Sequence, residues 1–176
     1  MKSPFFRLVL LLAVLAPAAR ASDVDVERAV RASTVIDKVL DDWHDAAAKA
    51  DEARYFAHFA KDGVFMGTDI TERWTAEAFR VWAKPYFSKG KAWSFKARER
   101  KVAFSKDGSV AWFDELLDTP NLGPCRGSGV LMREGGAWKI AQYNLSIPIP
   151  NELAKDVVKS IADAAKAGKP TPSPAP

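Results

Sequence analysis

An α+β fold, with helices packed on one face of a curved, mostly antiparallel sheet, is what the order of hydrophobic periods predicts. From Val24 to Phe87 apolar residues recur mainly at helical spacing, and from Trp93 to Ile147 they alternate at strand spacing. Two glycine-bearing turns, Lys106-Asp107-Gly108 and Glu134-Gly135-Gly136, divide the second stretch into hairpins. Helices followed by a meander pack as two layers, and a cavity between the layers is the natural ligand site.

The chain opens with a targeting leader. Lys2 and Arg7 make a charged start, Leu8 to Ala16 is a short apolar run, and Ala19-Arg20-Ala21 supplies the small residues of a cleavage site. Residues 1–21 are read as a signal peptide cut after Ala21, which predicts a periplasmic or secreted protein. No later apolar run reaches bilayer length, so no stable membrane insertion is expected after cleavage. Lys2, Arg7 and Arg20 account for most of the formal charge of +4, and without them the net charge is about +1. No basic cluster with interleaved aromatics remains, which argues against a nucleic-acid partner.

Residues 22–166 suit a single domain. Six Trp, ten Phe and three Tyr supply bulky side chains for its core, although two of the Phe lie in the leader. Cys125 is the only cysteine, so no internal disulfide can form, and a small buried filler is its expected role. The last residues, 167–176, alternate proline with small residues and read as an extended tail, because proline removes donors and fixes φ.

Taken in order, Val24 to Ala50 predicts a long amphipathic helix with Ile36, Leu40, Trp43 and Ala47 inside. Asp51 can cap a second helix, Glu52 to Ala60, that buries Tyr55, Phe56 and Phe59. Val64-Phe65-Met66 reads as a short strand entering a loop, Gly67 to Trp74. Thr75 caps a third helix with the stripe Phe79, Trp82, Ala83, Tyr86 and Phe87, and Pro85 loosens its last turn. Strands follow over Trp93 to Ser105, Ser109 to Asp118, Arg126 to Arg133 and Ala137 to Ile147. Pro148 and Pro150 end the sheet, and Asn151 caps a last helix with Leu153, Val157, Val158, Ile161 and Ala165 inside.

The final strand carries the clearest functional signal. Strict alternation puts Trp138, Ile140, Gln142, Asn144 and Ser146 on one face, where apolar residues give way to amides. Such a face predicts a partly polar cavity, with Gln142 and Asn144 as ligand anchors or as amides satisfied by nearby backbone. Arg126 and Ser128 share a face of the preceding strand. There Arg126 would either fork onto a carboxylate or phosphate or pair with Asp114 or Glu115. Asp114 shares a face with Trp112 and Leu116 and is the expected inward carboxylate, a candidate general base if buried. His44 and His58 lack a second ligand at metal-binding spacing, so no metal is proposed, and no cofactor fingerprint is present.

The order of long helix, Phe59-Ala60-Lys61-Asp62-Gly63, Gly67-Thr68-Asp69 with Glu72 and Trp74, and Gly135-Gly136-Ala137-Trp138-Lys139-Ile140 resembles the SnoaL-like branch of the nuclear transport factor 2-like superfamily. The resemblance covers roughly Val35 to Leu153. It implies a cone-shaped α+β barrel with a pocket between sheet and helices, commonly a homodimer formed through sheets, and Trp74 as a wall or lid. Ketosteroid isomerase is one member. By position, Trp43 stands where that enzyme has a catalytic tyrosine and Gly67 where it has its base, so its chemistry is not expected here. Two readings follow. One is a small-molecule binding protein with an aromatic pocket of Trp43, Tyr55, Trp74, Trp112 and Trp138 and polar anchors Arg126, Gln142 and Asn144. The other is a cyclase, isomerase or dehydratase using Asp114 as base. A dimeric accessory module with a vestigial pocket is a third.

Overall fold

The computed structural model describes residues 23–90 and 92–168. The predicted signal peptide and the proline-rich end of the tail lie outside the described residues. Two helices, α1 (Asp23–Ala48) and α2 (Glu52–Ala57), precede β1 (Phe59–Met66) and β2 (Arg73–Thr75), and α3 (Ala76–Phe87) follows. Strands β3 (Lys96–Phe104), β4 (Val110–Thr119), β5 (Gly123–Glu134) and β6 (Ala137–Ser146) complete one six-stranded sheet in the order β2-β1-β6-β5-β4-β3. All pairings are antiparallel except β1 with β6. A short 3-10 turn (Asn151–Leu153) leads into α4 (Ala154–Lys166).

Local chemistry explains most boundaries. Asp51 accepts from the Arg54 amide at the start of α2, and Thr75 accepts from the Ala78 amide at the start of α3. Pro85 sits in the last turn of α3, which ends at Phe87. In the β3–β4 turn, Asp107 accepts from the hydroxyls of Ser105 and Ser109, and these bonds lower its pKa to about 2. Gly135 and Gly136 both take positive φ in the β5–β6 hairpin, the geometry of a two-residue primed turn.

Four details depart from the sequence reading. The second helix stops at Ala57, and Lys61-Asp62-Gly63 continue the strand that begins at Phe59 instead of ending a helix. Arg73 and Trp74, expected in a loop, pair with β1 together with the capping residue Thr75. Tyr86 is exposed and only Phe79, Ala83 and Phe87 of the α3 stripe are buried. The apolar stripe of α4 is not inside: Leu153, Val158 and Ile161 are exposed, because α4 extends past β6 and makes few contacts with the sheet.

The largest departure is in β6. Leu131 pairs with Ile140 but Val130 pairs with Gln142, so Ala141 is an extra residue, a β-bulge. Alternation restarts after it. Trp138 and Ile140 face the helices before the bulge, and Tyr143 and Leu145 face them after it. Gln142, Asn144 and Ser146 therefore turn to the outer face of the sheet, away from α1 to α3. The face predicted to run unbroken from Trp138 to Ser146 does not exist, since one inserted residue exchanges the sides of everything beyond it.

The core lies between the inner face of the sheet and α1 to α3, and it is largely aromatic. Phe65 stacks on Phe79 at 4.0 Å, and Trp43 packs edge-on against Tyr143 at 4.6 Å and stacks on Tyr55 at 5.1 Å. Cys125 is buried within this layer, and burial pushes its thiol pKa up, away from the reactive thiolate. No helix among the described residues is long and apolar enough to cross a membrane.

Candidate functional site

The inner side chains of β4 are Ala111, Phe113, Glu115 and Leu117, all buried. Glu115, not Asp114, is thus the inward carboxylate. Asp114 is exposed on the outer face, in register with Lys101 on β3 and Ser128 on β5. The physical reason is parity: Ala111, Phe113 and Leu117 form the apolar set that fills the core, and the residue between Phe113 and Leu117 must follow them. Trp112, with Asp114, points outward and is about half exposed.

Glu115 has no exposed surface and is held from three sides. His44 Nε2 lies 2.8 Å from Oε1, Arg100 Nε donates to Oε2 at 2.9 Å, and the Tyr143 hydroxyl donates to Oε1 at 3.5 Å. Arg100 also reaches Asp37 and Asp41 on α1, at 3.2 and 3.0 Å. Burial alone would raise the Glu115 pKa, but His44 and Arg100 together outweigh it and hold the carboxyl below its ordinary range. An ionised carboxylate only accepts hydrogen bonds, so the proton between the two residues sits on His44 Nε2. Burial pushes the phenols of Tyr55 and Tyr143 well above the usual range, so both remain neutral.

Gly127 makes room for this cluster. A Cβ there would lie 2.3 Å from the Tyr143 hydroxyl oxygen and 2.9 Å from Glu115 Oε1. Two residues further along β5, a Cβ at Gly129 would lie 2.4 Å from the Gln142 carbonyl oxygen and 2.9 Å from the Phe113 ring. The inner face of β5 is flattened by glycine where β4 and β6 carry their largest groups.

A separate aromatic cavity of about 200 Å³ opens on the same helix-covered face. Phe65, Trp74, Phe79, Trp82, Trp93 and Phe95 wall it, Leu122 and Leu145 edge it, and Gly67, Thr68 and Glu72 border its mouth. Trp74 is buried, and its indole N–H has no hydrogen-bond partner. His44 approaches this region through Phe95, whose ring centroid is 5.9 Å from the imidazole, and Phe95 also lines the surface recess where His44 lies.

Of the residues singled out from sequence, Trp43, Tyr55 and Trp74 are all buried on the inner side, but only Trp74 lines the aromatic cavity, while Trp43 and Tyr55 stack on each other in the core. Trp138 is inward as well, but at the opposite end of β6, where the Arg133 guanidinium lies 4.7 Å from its ring. Trp112, Asp114, Arg126, Ser128, Gln142 and Asn144 all belong to the outer face, so none of them meets the inner aromatics. Arg126 is exposed and lies opposite Ser146 in the ladder, with no ion pair to a carboxylate among the described residues. Sequence reasoning missed His44, Arg100, Glu115 and Gly127. A signal existed for His44, which falls four residues after Leu40 on the buried stripe of α1.

Residues 36–150 match the SnoaL-like domain, and the chain belongs to that family. Solved structures agree on the fold. A nuclear transport factor 2-like protein of unknown function from Pseudomonas putida KT2440 is 18% identical, with a TM-score of 0.59 over 70% of this chain and 91% of that one. A proposed scytalone dehydratase from Novosphingobium aromaticivorans DSM 12444 is 10% identical, with a TM-score of 0.58 over 70% of this chain and 89% of that one. No curated protein matches the sequence. At such identities the likeness speaks for architecture, and function has to come from the site.

Proposed function

We propose that this is an exported binding protein for a small aromatic or apolar molecule held in the cavity beside Trp74. The cavity itself carries the reading: about 200 Å³ walled by aromatic rings. That is somewhat larger than the dry cavity of about 150 Å³ that accepts benzene in an engineered core, so one ring with a small substituent fits. The unpartnered Trp74 N–H favours a substituent that accepts a hydrogen bond, such as a phenol or ketone oxygen. Export rests on the leader before Ser22. A homodimer through the outer sheet face is supported by Trp112 and Met132, 49% and 45% exposed there.

The test is tryptophan emission and melting temperature of the purified chain with phenol, acetophenone and indole. Saturable shifts that disappear in Leu145→Trp, a variant that fills the cavity, support the reading. Unchanged emission and melting temperature with all three compounds refute it.

A second reading, a proton-transfer enzyme of the isomerase or dehydratase type, is favoured by the His44–Glu115 pair. Glu115 accepts from His44 Nε2 and so orients the imidazole, as a carboxylate does for a general base. In this reading His44 takes the role first given to Asp114, which lies on the wrong face. Deuterium incorporation into a bound ketone in heavy water, lost in His44→Gln, tests it. Equal incorporation by the variant would dismiss it.

A further inference from the structure

At the hairpin end of the sheet lies a groove of about 440 Å³ that shares no residue with the aromatic cavity. The two sites sit at opposite ends of β5: Leu122 precedes the strand at one, and Arg133 is near its last residue at the other. The groove is bordered by Arg54, His58, Arg133 and Lys139, with Val35, Val39 and Trp138 as apolar surface and no carboxylate among its lining residues.

Two of the four basic groups are already used. Arg54 pairs with Asp45 and lies 3.7 Å from Asp42, and His58 Nε2 is 3.0 Å from Asp42. The other two keep their charge. Arg133 lies over the Trp138 ring, and Lys139 donates to the Ala57 carbonyl, which satisfies one of its three protons but neutralises nothing. Neither forms an ion pair with a carboxylate of the described residues. Beside them Val35 is 47% exposed, large for an aliphatic side chain next to two uncompensated cations.

We propose that this groove is a second binding site, selective for a small organic carboxylate with an apolar body. The carboxylate is held by Arg133 and Lys139, and the body lies against Trp138, Val35 and Val39. A guanidinium stacked on an indole is preorganised, so it presents its remaining N–H groups with little rotamer freedom left to lose. A monoanion suits the site better than inorganic phosphate. The carboxylates of Asp42 and Asp45 behind Arg54 and His58 oppose a second negative charge, and a bare anion leaves the apolar surface uncovered.

Calorimetry on the whole chain tests this with phenylbutyrate, its neutral amide and inorganic phosphate. The expected result is one site for phenylbutyrate, with the amide and phosphate each binding at least about tenfold more weakly. Arg133→Gln/Lys139→Gln should weaken phenylbutyrate by a similar factor, and Arg126→Gln, an exposed arginine on the outer sheet face, should not. Leu145→Trp, which blocks the aromatic cavity, should leave phenylbutyrate binding intact and so separates this site from the other. The proposal is overturned if phenylbutyrate releases no heat of binding, if amide or phosphate binds equally well, or if the double variant with an unchanged melting temperature binds as the parent does. Loss of binding in Leu145→Trp also overturns it.

Discussion

The two faces of the sheet use the same strands for opposite ends. On the inner face, Phe113, Glu115 and Leu117 alternate into the core, and Glu115 is fully buried between Arg100 and His44. On the outer face, Trp112, Asp114 and Leu116 come from the same strand, and Asp114 stays in water. Adjacent carboxylates thus differ by one peptide unit in sequence and by nearly their whole environment. The comparison shows that parity, more than residue type, decides which acidic group is energetically important. Parity in β6 is in turn set by the bulge at Ala141.

Deleting Ala141 attacks the comparison directly and carries the largest expected effect. Without the extra residue the strand must alternate regularly, so either Trp138 and Ile140 or Tyr143 and Leu145 are forced to the outer face. Each such large apolar side chain contributes roughly 1.5–3 kcal/mol by burial, and exposing two of them consumes much of a typical domain stability of about 5–15 kcal/mol. The deletion variant should show no cooperative urea transition. A sharp transition near the parent midpoint would mean that the register is set elsewhere.

Glu115→Leu comes next. It leaves Arg100 and His44 facing a carboxylate that is gone, and breaking a buried ion pair in this way costs about 3–5 kcal/mol. Arg100→Met in the same background should recover part of the loss, and the double-mutant cycle in urea unfolding measures how much. The pH dependence has a definite sign. Because the folded carboxyl titrates below its ordinary value of 4.5, its contribution is complete above that value and is lost as pH falls through the folded pKa. Glu115→Gln should therefore flatten the acid limb of the stability curve relative to the parent. An acid limb of unchanged slope would show that the pair does not govern acid stability.

Gly127→Ala should be milder, about 1–3 kcal/mol, since a Cβ at that position collides with the Tyr143 hydroxyl and the structure must shift to admit it. Tyr143→Phe removes the atom struck. Because that hydroxyl is the nearest obstacle, the double variant should be more stable than Gly127→Ala alone, by melting temperature.

How far the molecule was legible in its sequence follows the same division. Element order, the hairpin turns, the capping residues Asp51 and Thr75 and the family were readable, because they depend on local chemistry and on periods several residues long. The candidate site was not, because it depends on parity. Strict alternation through Ala141 put Gln142 and Asn144 on the inner face, and choosing Trp112 as the core residue of β4 brought Asp114 inward with it. Nothing local in the sequence marks Ala141 as the bulge, which shows only in the pairing register. The choice of Trp112 turns Glu115 outward, and its full burial depends on Arg100 and His44, which come from other elements. For α4 the apolar stripe predicts burial that the structure does not show, because a stripe says what wants to be covered and not whether anything among the described residues covers it.

The smallest effect expected is also the sharpest check on the outer face. Asp114→Ala and Gln142→Ala remove polar groups that are exposed and have no hydrogen bond or ion pair among the described contacts, so each should change stability by no more than about 0.5 kcal/mol. Asn144→Ala, half-buried beside Ser128, should stay close to that range. None of the three should alter ligand-induced shifts in tryptophan emission, because the aromatic cavity lies on the other side of the sheet. Asn144 is the one to watch: it lines the open groove beside the Gly67 to Arg73 loop as well as facing outward. A loss of ligand response in Asn144→Ala with unchanged stability would show that this groove, not the aromatic cavity, takes up the ligand, and it would return the functional weight to the outer face.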